Sequence, residues 1–191
     1  MNETKIRLRE AAAKLLTEYN MDDITLKMFE SVSGFSKQTL YNHYENFIDI
    51  LYEIYEEDLA QKISSVNIDA GWLSGFHDLL KSFPNNRKFF LHFYYSSFRD
   101  DFMNMIQHYG QTLIEQDIDA QLAGKHLVLE KQDREFIINF YTHIFCEVIN
   151  IFFQSKLTQN PDYLFSRCEV MLRHHIPFAL NNIKALYDGT F

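Results

Sequence analysis

The stretch ITLKMFESVSGFSKQTLYNHYENFIDIL, residues 24–51, decides the fold of this chain. It contains two short segments of helical periodicity on either side of Gly34, and glycine is the residue that most often ends a helix in a left-handed conformation. Leu26 and Phe29 share a face of the first segment, and Leu40 and Tyr44, four residues apart, share a face of the second. Packing of these faces across the glycine turn predicts a helix-turn-helix motif.

Capping signals fix the neighbouring elements. Thr25 is a good N-cap for the first short helix, and Ser36 stands where the second begins. Asn46 and Asp49 have the spacing of a capping box, which predicts a longer helix from residue 46 to about residue 62. An amphipathic segment over residues 3–19 predicts a first helix ahead of the motif.

The rest of the chain is also predicted to be helical. Gly and Pro number only 6 and 3, and the long runs carry a helical period rather than the alternation of a strand. Pro177 lies inside the last helical pattern, so we expect a kink or break there. The small and polar residues 64–74 mark the boundary between a domain of residues 1–62 and one of residues 63–191. Beyond that boundary, helices are predicted over residues 73–82, 87–108, 111–122, 133–155 and 161–186.

The composition argues against several classes of protein. Hydrophobic residues make up 47% of the 191 residues and aromatic residues 16%, which argues against disorder. Two cysteines are too few for a secreted disulfide scaffold. The first residues lack the apolar core of a signal peptide, and no uncharged apolar run approaches the ~18 residues that span a bilayer. We therefore expect a soluble cytoplasmic protein with no membrane contact, and its net charge of −8 argues against nonspecific coating of nucleic acid.

The second helix of the motif presents a polar outward face. Its side chains are hydrogen-bond donors and acceptors of the types that contact base edges and phosphates. A short helix with such a face suits the major groove of double-stranded DNA. This face comprises Lys37, Gln38, Thr39, Asn42 and His43.

In these residues the sequence resembles the TetR/AcrR family of transcriptional regulators. The resemblance covers about the first 60 residues and rests on Thr25, Gly34, the run SKQTLY at residues 36–41, Tyr44 and Leu51. It implies an all-α protein with an N-terminal three-helix DNA-binding domain, followed by a larger helical domain for dimerisation and ligand binding. It also implies phosphate contacts from Thr25 and Tyr41, although a plain core role is an equal alternative for Tyr41. The DNA-binding set implied is Thr25, Ser36, Lys37, Gln38, Thr39, Tyr41, Asn42 and His43, and the implied small core is Leu26, Phe29, Phe35, Leu40 and Tyr44.

The sequence departs from the family pattern in three respects. Glu30 and Ser33 replace alanines, and Phe47 replaces a lysine that usually reaches a phosphate. Residues 1–44 hold six bases and six acids, and residues 45–58 hold six acids and no base. Since DNA affinity depends strongly on cationic contacts to phosphate, we expect modest affinity, or affinity confined to a specific operator.

The larger domain carries an apolar segment, residues 133–153, that is predicted to be buried on nearly all sides. In the family the last two long helices pack against their copies in a second chain, which implies a homodimer on a near-palindromic operator. The alternative is that both helices are ordinary monomer core. An effector pocket could be lined by Trp72, Phe76, Tyr94, Phe98, Phe102, Tyr141 and His143, and simple core packing is the alternative for each.

The sequence contains no recognisable motif for metal binding or catalysis. The eight histidines form no i, i+4 pair, there is no HExxH or GxSxG motif, and the two cysteines, Cys146 and Cys168, lie in apolar segments. We therefore expect no metal, no cofactor and no enzymatic activity. The resemblance implies a repressor that an effector releases from DNA, and the alternative is a co-regulator whose output is set by a partner protein.

Overall fold

The structure is a computed structural model, and it describes residues 3–65, 71–123 and 127–190. Within these ranges the regular structure is helical and contains no strand, so the all-α prediction is confirmed. A short 3-10 turn, Met21–Asp23, separates the first two α-helices. The α-helices in chain order are α1 (Glu3–Glu18), α2 (Leu26–Ser33), α3 (Lys37–Tyr41), α4 (Phe47–Ser65), α5 (Trp72–Asn85), α6 (Arg87–Tyr94), α7 (Arg99–Ala123), α8 (Lys131–Gln154), α9 (Pro161–Leu172) and α10 (His175–Tyr187).

The predicted caps of the helix-turn-helix are confirmed. The hydroxyl of Thr25 accepts the N–H of Met28 at 3.3 Å, and α2 ends at Gly34 with a φ of +72°. Asn46 and Asp49 exchange side-chain and backbone hydrogen bonds of 2.9 and 3.2 Å ahead of α4. Each bond satisfies a backbone group that a helix end leaves without an intrahelical partner.

The helix predicted over residues 87–108 is interrupted after Tyr94. The hydroxyl oxygen of Ser96 accepts the N–H of Phe98 at 3.1 Å. The carboxylate of Asp22 accepts both the N–H and the O–H of Ser97, at 2.9 and 2.6 Å. These side-chain bonds replace the helical ones, because they offer the backbone an alternative partner.

The break predicted between residues 108 and 111 is wrong, since α7 runs without interruption through Gly110. A Cβ atom at Gly110 would lie 2.6 Å from Cδ1 of Phe145 in α8. The glycine therefore allows close contact between two helices and does not mark a turn.

The last predicted helix is divided, as expected from Pro177, but the break precedes the proline. α9 ends at Leu172, and His174 has a φ of +66°. Pro177 then lies in the first turn of α10, where its missing N–H removes no intrahelical hydrogen bond.

The described chain forms two compact units. The first comprises Met1–Ser64 together with Phe83–Ile106, and the second comprises Ser65–Ser82 together with Gln107–Phe191. Long-range bonds hold the two segments of the first unit together: Nδ1 of His92 lies 2.7 Å from the carbonyl oxygen of Leu16, and the hydroxyl of Tyr52 donates to Asp101 at 2.7 Å. The split at residue 62 stays a prediction, and much of the predicted boundary, residues 66–70, lies outside the described residues.

The second unit has an aromatic core around α8. Phe145 is fully buried and its ring centroid lies 5.1 Å from that of Phe76. The prediction that this helix is buried on nearly all sides is wrong, because Phe136, Phe140 and Ile151 are 70%, 51% and 42% exposed. Among the described helices, α8 alone has the length and apolar composition that a membrane span requires, which by itself is no evidence of a span, and 44% of that window is buried inside the structure.

Candidate nucleic-acid interface

The turn between α2 and α3 is held by side chains that depart from the family pattern. Oε1 of Glu30 accepts the N–H of Lys37 at 2.6 Å, and Oγ of Ser33 accepts the N–H of Phe35 at 3.1 Å. Arg7 donates to the carbonyl oxygen of Ser33 at 3.2 Å and lies 4.7 Å from the centre of the Phe35 ring. Glu30 and Ser33 therefore fix the start of α3, which is a role that an alanine at either position could not fill.

Helix α3 is anchored by one apolar side chain and exposes most of its polar ones. Leu40 is fully buried, and Oγ of Ser36 caps the helix by accepting the N–H of Thr39 at 3.3 Å. The predicted DNA-binding residues lie together on or beside this helix, except for Thr25 at the start of α2. Thr25, Ser36, Lys37, Gln38, Tyr41 and Asn42 are exposed, whereas Thr39 and His43 are half-buried.

The outward face of α3 is organised by pairs four residues apart. Nζ of Lys37 lies 5.5 Å from the centre of the Tyr41 ring, and Nε2 of Gln38 donates to Oδ1 of Asn42 at 3.1 Å. Tyr41 is 43% exposed, so the alternative of a plain core tyrosine does not hold. The arrangement presents an ammonium group, a phenol and two amides on one short helix.

Thr25 keeps a hydrogen-bond donor despite its capping role. Its oxygen accepts the N–H of Met28, which leaves the hydroxyl proton free to donate. An exposed hydroxyl at the start of a helix is the type of group that donates to a phosphate oxygen.

Acidic side chains of α4 neutralise cations of α1 within the first unit. Lys5 pairs with Glu53 at 3.1 Å, and Arg9 pairs with Glu57 at 2.7 Å and with Glu53 at 3.8 Å. Two of the six bases among residues 1–44 are therefore paired with acids of the segment 45–58, so part of that acidic charge stabilises the first unit. Arg7 also has partners, because it donates to the carbonyl oxygen of Ser33 and lies over the Phe35 ring.

Few cations remain for a phosphate surface. The bases of residues 1–44 not used in these contacts are Lys14, Lys27 and Lys37. Phe47, where the family usually has lysine, packs edge-on against Phe29 with ring centroids 5.3 Å apart. The position therefore enlarges the core of the motif and supplies no phosphate contact.

The predicted pocket residues are divided between the two units. Trp72, Phe76 and Tyr141 lie in the second unit, where the Trp72 ring centroid is 5.9 Å from that of Phe76 and 6.3 Å from that of Tyr141. His143 is exposed on α8, in the segment that was predicted to be buried on nearly all sides, and its Nδ1 lies 2.7 Å from the carbonyl oxygen of Asn139. The other three belong to the first unit: Tyr94 and Phe102, which are buried, and Phe98, which is half-buried.

The second unit contains a half-open cleft of about 450 Å³. Of the residues predicted for a pocket, Trp72 alone lines it, because the prediction searched mainly for aromatic rings, whereas most of the lining is polar or aliphatic. Asp117, which is 7% exposed, was missed, although an acid four residues before Gln121 on an otherwise apolar helix face is a signal that could have found it. The lining comprises Gly71, Trp72, Leu73, Ser74, His77, Asp117, Gln121, Phe165, Glu169, Leu172, Arg173, His174, Ile176 and Pro177.

Comparisons with known proteins support one family. Residues 71–174, more than half of the chain, match the TetR family model described as transcriptional regulator C-terminal region. One similar solved structure is the dihydroxyacetone kinase operon activator DhaS, at 18% identity and a TM-score of 0.69, with 92% of this chain and 97% of that chain covered. Another is a TetR transcriptional regulator from Streptococcus agalactiae 2603V, at 18% identity and a TM-score of 0.59, with 88% and 93% covered. No curated protein sequence matches significantly. The chain belongs to the TetR family of transcriptional regulators.

Proposed function

We propose that this protein binds a near-palindromic DNA operator as a homodimer and regulates transcription from it in the cytoplasm. The observation that carries the proposal is the exposed polar face of α3, whose start is fixed by the Glu30 and Ser33 hydrogen bonds. Because the turn is already ordered, α3 can enter the major groove without the entropic cost of ordering it on binding.

The exposed apolar face of the second unit supports the homodimer. The Phe136 and Phe140 rings of α8 stack with centroids 6.2 Å apart, and both are exposed in the single chain. Further large apolar side chains on the last two helices are exposed, namely Val170, Met171, Phe178 and Leu186. Exposed apolar side chains that lie together mark an interaction site, and we infer that these six side chains form one face. A second copy on this face would give a two-fold dimer with two copies of α3, which matches two half-sites of a near-palindrome.

Repression, relieved by an effector, is the mode of regulation that we propose. An effector can release the operator only if it binds one conformation of the body more tightly than the other. One structural relative is described as an operon activator, so the sign of regulation needs a direct test. A reporter gene behind the chain's own promoter, compared with and without the protein, measures that sign: higher expression without the protein supports repression, and lower expression contradicts it.

Operator binding is best tested by fluorescence anisotropy on the DNA upstream of the chain's own gene, across a salt series. The double variant Lys37→Ala/Tyr41→Phe removes a cation and a donor from α3. Lys131→Ala, on the exposed start of α8, is the matched control for loss of one positive charge. Salt-dependent binding that the double variant loses and the control keeps supports the proposal.

A different result would favour a co-regulator whose output is set by a partner protein. The observation that favours a co-regulator is the pairing of Lys5 and Arg9 with acids of α4, because this pairing leaves few cations for contacts to DNA phosphates. Absence of specific binding at low salt, from a folded dimer and a panel of promoter fragments, would contradict operator binding and put the co-regulator first.

A further inference from the structure

The cleft of the second unit contains a buried acid with weak partners. Oδ2 of Asp117 accepts the backbone N–H of Trp72 at 3.3 Å, and Oδ1 accepts from Nε2 of Gln121 at 3.4 Å. A charge-assisted bond to a carboxylate is usually about 2.7–2.9 Å, so both contacts are long. An ionised carboxylate has about four acceptor positions, and these two bonds leave acceptor capacity at a group that is 93% buried.

The charges along the cleft do not balance. Arg173 pairs with Glu169, and Lys81 and His77 both contact Asp162 beside the cleft, at 3.4 and 2.8 Å. Among the described residues, Asp117 has no cationic partner. Counting histidine as neutral, the lining therefore carries one uncompensated negative charge, at its most buried polar group.

Burial makes that negative charge unfavourable. Desolvation raises the pKa of Asp117, and the hydrogen bonds from Trp72 and Gln121 offset this only in part. A positive charge brought to the carboxylate would favour the ionised form, as an ion pair does in a low-dielectric site.

The rest of the lining suits an apolar or aromatic body. Trp72 and Phe165 lie on the cleft, and the Phe165 ring stacks on His77 with centroids 3.9 Å apart. Leu172, Ile176 and Pro177 also line it. Its volume of about 450 Å³ lies within the range of small-molecule sites. Aromatic faces beside a carboxylate are a common environment for an organic cation.

We propose that this cleft binds a small organic cation, with its ammonium or amidinium group on Asp117 and its apolar body against Trp72 and Phe165. Such a ligand would supply the effector of the regulator, and this assignment of its role rests on the proposed function. The binding itself does not depend on DNA, so the two proposals can fail separately.

The test uses the full-length protein and two probes, 2-phenylethylamine and benzamidine. Their neutral counterparts, 2-phenylethanol and benzamide, have the same apolar body without the charge. Trp72 is the single tryptophan and lines the cleft, so its emission reports binding directly, and calorimetry supplies an independent affinity. Asp117→Asn keeps the size of the side chain and removes its charge. Glu115→Gln, two residues away on α7 and outside the cleft, is the control.

We expect saturable binding of at least one of the two cations, no comparable binding of its neutral counterpart, and at least a tenfold weaker affinity in Asp117→Asn but not in Glu115→Gln. Circular dichroism verifies that both variants are folded. The proposal is overturned if neither cation binds, if the neutral counterparts bind equally well, or if Asp117→Asn keeps the wild-type affinity. If a cation binds but leaves operator affinity unchanged, the result supports the binding site and contradicts the proposal that this ligand releases the operator.

Discussion

Replacing Phe136 and Phe140 together with serine is expected to separate the proposed homodimer into monomers. A phenylalanine offers about 200 Å² of surface, so exposures of 70% and 51% correspond to about 240 Å² of aromatic surface in each protomer. At about 25 cal/mol per Å², complete burial of these rings would contribute about 12 kcal/mol to a symmetric dimer. If only a third of this area is covered, the loss is about 4 kcal/mol, or about a thousandfold in the dimer dissociation constant.

Sedimentation equilibrium over a range of protein concentrations measures that constant. Val128→Ser is the control, because Val128 is 89% exposed and lies outside the described helices. We expect the control to stay dimeric at concentrations where the double variant is monomeric with unchanged helicity. A double variant with the wild-type dissociation constant would refute the assignment of this face to the dimer. A wild-type chain that is monomeric would refute the dimer itself.

Three further substitutions have defined outcomes. Gly110→Ala is expected to lower the free energy of unfolding by about 1–3 kcal/mol in urea denaturation, because its Cβ would lie 2.6 Å from the Phe145 ring, and Phe145→Leu in the same chain should restore part of the loss. Glu30→Gln is expected to raise operator affinity severalfold in anisotropy, since the amide can still accept the N–H of Lys37 while a negative charge is removed from α2 beside the start of α3, and an unchanged affinity at low salt would contradict this. Asp117→Asn is expected to stabilise the free protein at neutral pH. The folded-state pKa of Asp117 is raised, so its contribution is fully present below the usual value of 3.8 and is lost as the pH rises through the raised value. The advantage of the variant in thermal denaturation should therefore shrink as the pH falls, and an advantage that is independent of pH would exclude this cause.

The local part of the fold could be predicted because its signals lie within a few residues of one another. The cap at Thr25, the left-handed Gly34 and the Asn46–Asp49 exchange each satisfy backbone groups of their own helix. Periodicity and capping rules therefore placed α2, α3 and the start of α4. The exposed face of α3 followed from the same spacing.

Features that depend on distant partners could not be predicted in this way. Gly110 predicts a helix end when the local sequence alone is considered, but its role is to make room for the ring of Phe145, 35 residues later in the chain. The break after Tyr94 is stabilised by Asp22, about 75 residues earlier in the chain. The cleft likewise is lined by residues of α5, α7, α9 and α10 that are far apart in the sequence, and a search for aromatic residues found only Trp72 of its lining.

The pairing of α1 cations with α4 acids has a consequence for how the protein would distribute over a chromosome. Attraction to DNA of unrelated sequence comes mainly from cations at phosphates, and Lys5 and Arg9 are committed to Glu53 and Glu57 instead. A genome offers roughly 10⁶–10⁹ such competing sites, and a protein that is held weakly by them keeps more of its copies unbound. A regulator of this kind could therefore occupy its operator with few copies per cell. Its selectivity would come from its low affinity for DNA of unrelated sequence.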